Sequence, residues 1–279
     1  MPARALPLLV LGGTGRIGGA LRDFWPFALK GGLRPIWQAR DARPLHLHWD
    51  ILTDPAPPWA YGVVLCLAWD RGALDRGGAI ALRALQVAAA QGAVHVFIAS
   101  SSAVYGPGRM LSEDAASAPV AAYGRAKAAM DEAVLDWHAR HGGPGVTLLR
   151  IGNVAGADAL LGPPRTGPVV LDPTPDGLGP RRSYIGPVTL SAVLSRLATL
   201  AVEGTDLPKV LNIATPLPVS MSALLQAAGL TWHFGPDNPQ AIPEVSLDTT
   251  RLQSLIRLPP TSSHPRNLVA EWRQWQGAA

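Results

Sequence analysis

With 279 residues, 48% of them hydrophobic and only 16% charged, the chain has the apolar surface for a large buried core, as one large domain or two smaller ones. Its 27 prolines and 29 glycines follow no repeat, which argues against a fibrous or disordered chain, and no stretch reaches the ~20 apolar residues of a membrane span. The net charge of +4 is scattered as single arginines, without basic runs or interleaved aromatics, so neither nucleic acid nor a membrane is an expected partner.

One cysteine, Cys66, lies inside the apolar run 63–67 and cannot form an internal disulfide, which fits a reducing compartment. Residues 3–11 superficially resemble a secretory leader. They run into Gly12 without a full apolar core or a small-residue cleavage pattern, so the expected location is cytoplasmic. His46 with His48, and His138 with His141, lack nearby carboxylates or thiols that would complete a metal site, and none is expected.

Residues 8–11 read as a buried strand running into Gly12-Gly13-Thr14-Gly15-Arg16-Ile17-Gly18, with Gly12, Gly15 and Gly18 at steps of three. A tight glycine turn opening a helix lets the backbone approach a pyrophosphate and aims free amides at it. A plain glycine-rich surface turn is the competing reading; a Walker-type loop is excluded because no Gly-Lys-Ser/Thr follows. The helix is expected to run to about Lys30, with Gly31-Gly32 ending it and residues 33–39 forming the second strand. An acidic residue at that strand's end suits the ribose hydroxyls of NAD, and arginine suits the 2′-phosphate of NADP. Arg40, with Arg16 in the glycine loop, favours NADP, while Asp41 keeps NAD open.

Residues 45–49 and 62–67 read as third and fourth strands, with Asp50 placed to accept from an adenine amino group or to cap a turn. An alanine-rich helix is expected over 73–91, stopped by Gly92, and a fifth strand over 94–99. This alternation predicts an α/β fold with a parallel, doubly wound Rossmann-type sheet. The fifth strand ends in Ser100-Ser101-Ser102, at the carboxyl edge where such sheets bind ligands, although serines there also serve as turn residues.

The next helix, expected over 121–140, begins with Tyr123-Gly124-Arg125-Ala126-Lys127. A spacing of four places the phenol and the ammonium on one face, above an apolar stripe of Met130, Val134 and Trp137. A phenol with a reference pKa near ~10 needs help to act as a base at neutral pH. A cation ~4 Å away is worth up to ~4 kcal/mol at intermediate dielectric, enough to lower the phenol by about three units. Lys30, Lys127 and Lys209 are the only lysines, so an ammonium at 127 stands out against the many arginines.

Taken in this order, the glycine loop, the serines and the Tyr-Lys pair resemble the extended short-chain dehydrogenase/reductase family. The resemblance is to its NAD(P)-dependent sugar-nucleotide epimerase/dehydratase branch and spans nearly the whole chain. Ser101-Ser102-Ala103-Val104-Tyr105-Gly106 is similar to the family's Ser-Ser-x-x-Val-Tyr-Gly. The resemblance implies Tyr123 as acid/base, Lys127 as the group that lowers its pKa and holds the nicotinamide ribose, and Ser101 as hydrogen-bond partner of the reacting oxygen. It also implies cofactor contacts at Gly12, Gly15, Arg16, Ile17, Gly18, Arg40, Asp50 and Ala68, and substrate contacts at Ser102. Leu149-Arg150-Ile151-Gly152-Asn153 resembles a strand whose asparagine touches substrate, which points to Asn153. Arg181-Arg182-Ser183-Tyr184-Ile185 resembles a segment whose arginine pairs with a sugar-nucleotide phosphate, which points to Arg182. Val210-Leu211-Asn212-Ile213-Ala214 is similar to the seventh strand.

The sequence departs from the family pattern in three places. Ala68-Trp69 stands where two small residues are usual, Gly186-Pro187-Val188-Thr189 replaces a His-Val-Asp-Asp, and the usual asparagine is absent near 79–82. The expectation is a cofactor domain over 1–150 and a substrate region over 151–279, with 187–214 returning to the first. The expected activity is hydride transfer on a secondary alcohol or ketone of a sugar or sugar nucleotide, with NADP preferred over NAD and a homodimer possible. The alternatives are an NADPH-dependent ketone or aldehyde reductase and a non-catalytic NADP-binding regulator.

Overall fold

A computed structural model describes residues 6–28, 33–70, 72–162, 164 and 166–278. Short, nearly continuous apolar runs are the signature of strands covered on both faces, and they form the centre of the molecule. β1 (Leu6–Leu11), β2 (Leu33–Ala39), β3 (Leu47–His48), β4 (Val63–Cys66), β5 (His95–Ser101), β7 (Gly145–Ile151) and β12 (Val210–Ile213) pair in parallel, in the order β12-β7-β5-β4-β1-β2-β3. Alternate residues feed opposite faces. Leu8, Val10, Val63 and Leu65 enter one core cluster, and Leu9, Leu11, Val64 and Cys66 enter the other.

The first face is covered by α1 (Arg16–Ala28), through Leu21 and Trp25, and by α4 (Pro187–Val202), through Leu190, Val193, Leu194 and Leu197. The second is covered by α2 (Arg76–Ala90) and α3 (Ala122–His141), which contributes Met130 and Val134. The expected stripe below Tyr123 is therefore core. β12 lies beside β7 and α4 packs on α1, so residues 187–213 build on the same sheet as the N-terminal half.

The remaining strands are short. β6 (Gly108–Leu111), β10 (Arg181–Arg182), β13 (Val219–Ser220) and β15 (Glu244–Leu247) form one small sheet. β8 (Asn153–Val154) pairs with β11 (Tyr184–Ile185), and β9 (Val169–Leu171) with β14 (Trp232–Phe234). α5 (Met221–Ala228) and α7 (Pro265–Ala278) close a third cluster through Leu224, Leu225, Leu268 and Trp272, with α6 (Thr250–Leu255) between them in sequence. No helix among the described residues is long and apolar enough to cross a membrane.

One expectation changes in detail and one is untested. The third strand is two residues long, because Leu45 sits at φ 62° and almost fully exposed just after Pro44, which breaks the run expected over 45–49. The expected end of the first helix at Lys30 lies outside the described residues.

Candidate active site

β1 and β4 are neighbours from which the chain winds outward in opposite directions, so a crevice opens at their carboxyl ends. The glycine turn lines it. Gly12 has φ +80°, and a Cβ there would stand 2.7 Å from the Ala68 backbone nitrogen, so β1 and the segment after β4 approach as only glycine allows. Gln38, buried at the end of β2, pins the turn by accepting from Gly12 N at 2.9 Å while its carbonyl accepts from Gly13 N at 3.1 Å. The first i→i−4 bond of α1 runs from Gly19 N to Gly15 O, so the amides of Arg16, Ile17 and Gly18 precede the helical ladder. The crevice is a cleft of about 420 Å³, bounded also by Arg40, Asp50, Ala68 and Arg76. Its glycine-lined floor and size suit the adenosine and pyrophosphate part of a dinucleotide.

Of the three polar contacts expected here, Arg40 and Asp50 line the cleft and Arg16 does not. Arg16 leaves the cleft and donates from Nη1 to the Ala157 carbonyl at 3.1 Å. Asp50 borders the cleft but also caps a turn, with Oδ1 accepting from Leu52 N at 2.9 Å. Arg40 stands exposed at the rim, 3.9 Å from Asp70, which also pairs with Arg76 at 3.4 Å. Arg76 is a cleft cation that the sequence reading left inside an ordinary helix; its position opening α2 was the available signal.

Trp69, which lines the cleft, contacts Tyr123 and Lys127 of α3, and α3 meets the turn that follows β5. A Cβ on Gly124 would lie 2.4 Å from the Ala103 carbonyl, so the Tyr-Gly step lets α3 press its first turn against Ser101, Ser102 and Ala103. Ser101 Oγ accepts from Ala103 N at 3.2 Å, which orients the hydroxyl and leaves its proton to donate elsewhere. Tyr123 is 39% exposed. Lys127, one turn on, is buried, and its Nζ donates to the Ala99 carbonyl at 2.7 Å. Burial lowers its pKa from 10.5 to about 8, opposed by the Cys66 thiol and the Asp131 carboxylate. Cys66, directly beneath, is pushed up to about 11 by burial, with Lys127 pulling the other way, so at neutral pH the thiol is neutral and the amine carries the charge.

A further turn along α3, Asp131 pairs with Arg150 of β7 at 3.2 Å, both buried. Arg150 donates to the Glu113 carbonyl at 3.2 Å and lies 4.7 Å from the centre of the Tyr105 ring. The Tyr105 hydroxyl donates to Asn212 Oδ1 at 2.8 Å. This buried polar chain ties α3, β7 and β12 together behind the serines.

Residues 70–168 match the NAD dependent epimerase/dehydratase family. The matched segment carries Ser101, Tyr123, Lys127 and Asn153. No curated protein sequence matches the chain. Solved structures similar in fold include MoeE5 in complex with UDP-glucose and NAD, at 20% identity and TM-score 0.74, covering 97% of this chain and 98% of that one. A UDP-glucuronic acid 4-epimerase variant from Bacillus cereus, in complex with a fluorinated UDP-sugar and NAD, is 18% identical with TM-score 0.74, over 98% and 100% of the two chains. RMD from Pseudomonas aeruginosa, complexed with NADPH, is 16% identical with TM-score 0.72, over 96% and 99%. At these identities the likeness is one of fold.

Asn153, Ser102 and Arg182 are the positions expected to touch substrate. Asn153 is half-buried in β8, its N–H donating to the Ser183 carbonyl at 2.8 Å. Ser102 opens the short turn after β5, its carbonyl accepting from Tyr105 N at 3.2 Å. Arg182 spends Nη1 on the Arg181 carbonyl at 2.7 Å and Nη2 on the Ile242 carbonyl at 3.0 Å, which holds the guanidinium against its own small sheet.

Proposed function

We propose that the protein is an NAD(P)-dependent oxidoreductase or epimerase acting on a secondary alcohol or ketone of a sugar or sugar nucleotide. The observation that carries this reading is the seating of the first turn of α3 against the serine turn, with the Lys127 ammonium buried behind it and a glycine-floored cleft alongside. Residues 1–150 would hold the dinucleotide at Gly12, Gly15, Ile17, Gly18, Asp50 and Ala68, and residues 151–279 would supply most of the substrate wall, including Asn153 and Arg182. A bound nicotinamide supplies or accepts the hydride.

The chain's own residues manage the proton. The Tyr123 phenol gives or takes it at the reacting oxygen, the Lys127 charge favours the phenolate, and Ser101 donates a hydrogen bond to the same oxygen. A preference for NADP rests on Arg40 and Arg76, the two guanidiniums at the rim of the cleft; Arg16, bonded to Ala157, no longer supports it.

The reading is tested by mixing purified protein with reduced and oxidised dinucleotides and a panel of nucleotide sugars, following nicotinamide absorbance and sugar interconversion. Tyr123→Phe should lower turnover by roughly 10²–10⁴ while leaving dinucleotide binding intact. Turnover unchanged in Tyr123→Phe would overturn the proposal.

A further inference from the structure

After β4 the chain lines the cleft as Leu67-Ala68-Trp69-Asp70. The Trp69 ring lies over Lys127 Nζ, 3.7 Å from the ring centre, and forms a T-shaped pair with the Tyr123 ring, centroids 5.8 Å apart at 84°. The ring is seated where Gly77 of α2 has no side chain: a Cβ there would fall 1.9 Å from Trp69 Cζ3. Next to it, Asp70 bridges Arg40 and Arg76 from the two rims. The indole Nε1 is buried and finds no hydrogen-bond partner among the described residues. Packing and the cation–π contact thus hold the ring, with no hydrogen bond from its own nitrogen.

One Lys127 proton goes to Ala99, and the indole face covers the ammonium at contact distance. A ribose diol arriving from the cleft and the indole ring compete for the same cation. Arg40, Asp50 and Ile80, the cleft wall assigned to the adenosine half, take no part in the Trp69–Lys127 contact.

We propose that Trp69 determines access to Lys127: seated in the Gly77 slot it caps the ammonium, and the nicotinamide half of a dinucleotide reaches Lys127 only when the ring swings out. The adenosine half binds with the ring in place. The inference rests on the dinucleotide reading above and adds to it a residue that sets the affinity for the reactive half alone.

The test is calorimetric titration of wild type, Trp69→Ala and Gly77→Ala with NADP⁺ and NAD⁺, and with 2′,5′-ADP and AMP as adenosine-half probes. Gly77→Ala keeps the indole but fills its seat, so it guards against an effect peculiar to losing the ring. Both variants should bind the whole dinucleotides about fivefold tighter or more, with the half probes little changed. A fivefold gain corresponds to an open ring in about one wild-type molecule in five, since apparent affinity scales with the competent fraction. In a second readout without cofactor, Lys127 should be acetylated faster by acetic anhydride in both variants, followed by peptide mapping. Equal dinucleotide affinity in all three proteins, or weaker binding in Trp69→Ala, overturns the cap. If none of the proteins binds any of the four probes, the dinucleotide reading itself falls and this inference with it.

Discussion

Asp131 and Arg150 meet at 3.2 Å with only 4% and 9% of their side chains exposed, one helical turn beyond Lys127. A buried pair of this kind adds little net stability over apolar residues of the same shape, but breaking it strands a charge. Asp131→Ala should therefore cost about 3–5 kcal/mol in urea unfolding. The double replacement Asp131→Leu with Arg150→Met should cost much less than the single one. A single-variant cost under about 1 kcal/mol would mean the pair is solvated, as surface pairs are.

Lys127 has a folded pKa of about 8 against 10.5 in its ordinary state, so between these values the unfolded chain binds more protons and stability rises with pH. Measured against Lys127→Met, wild-type stability should gain over that window and level off beyond it. Over the same rise the ammonium is lost, so turnover that needs its charge should fall above about pH 8. A flat stability difference from pH 7 to 11 would contradict the buried, depressed amine.

His95 is buried in β5, where Nε2 donates to Thr147 Oγ1 at 2.9 Å and that hydroxyl in turn donates to the Pro208 carbonyl at 2.8 Å. Burial, aided by His138, lowers its pKa from 6.5 to about 4. Above the unfolded value both states are neutral. As pH falls through 6.5 toward 4, the unfolded chain takes up a proton that the folded chain refuses, and stability drops by up to about 3 kcal/mol. His95→Gln should remove this slope, as read from denaturation midpoints across the window.

Gly124 and Gly12 are close-approach glycines with separable consequences. Gly124→Val places a side chain against the Ala103 carbonyl and should shift Tyr123 relative to Ser101. The expected loss is about 10²-fold in turnover with dinucleotide binding retained, as for small misplacements of catalytic groups. Gly12→Ala combines φ +80° with a backbone clash and should cost about 1–3 kcal/mol in stability as well as dinucleotide affinity. Binding and rate assays on the two variants distinguish the roles.

The parallel sheet, the glycine turn and the helix of Tyr123 and Lys127 were legible because their signals are local. The run 8–11, the glycine steps and the Tyr-Lys spacing each lie within one strand, turn or helix, and apolar runs suffice to announce a parallel sheet. Side-chain destinations were not legible in the same way. Arg16 sits in the glycine loop by sequence, yet its guanidinium bonds a carbonyl 141 residues away. Arg182 carries a family-like motif, but its donors are drawn to neighbouring carbonyls once β10 and β15 pair. Trp69 was visible as a departure from the family pattern. Its seat over Lys127 depends on α2 bringing Gly77 beneath the ring, which no local pattern announces.

Asn212 is fully buried in β12: Oδ1 accepts from the Tyr105 hydroxyl, Nδ2 donates to the carbonyls of Leu111 and Asp248, and its backbone N–H donates to the Glu113 carboxylate. One side chain thus fastens segments that span residues 105 to 248. Ser101, Tyr123 and Lys127 are all present once residue 127 has been synthesised, but the Asn212 ties behind them need another hundred or so residues. These ties join segments far apart in sequence, the kind of non-local contact that slows folding.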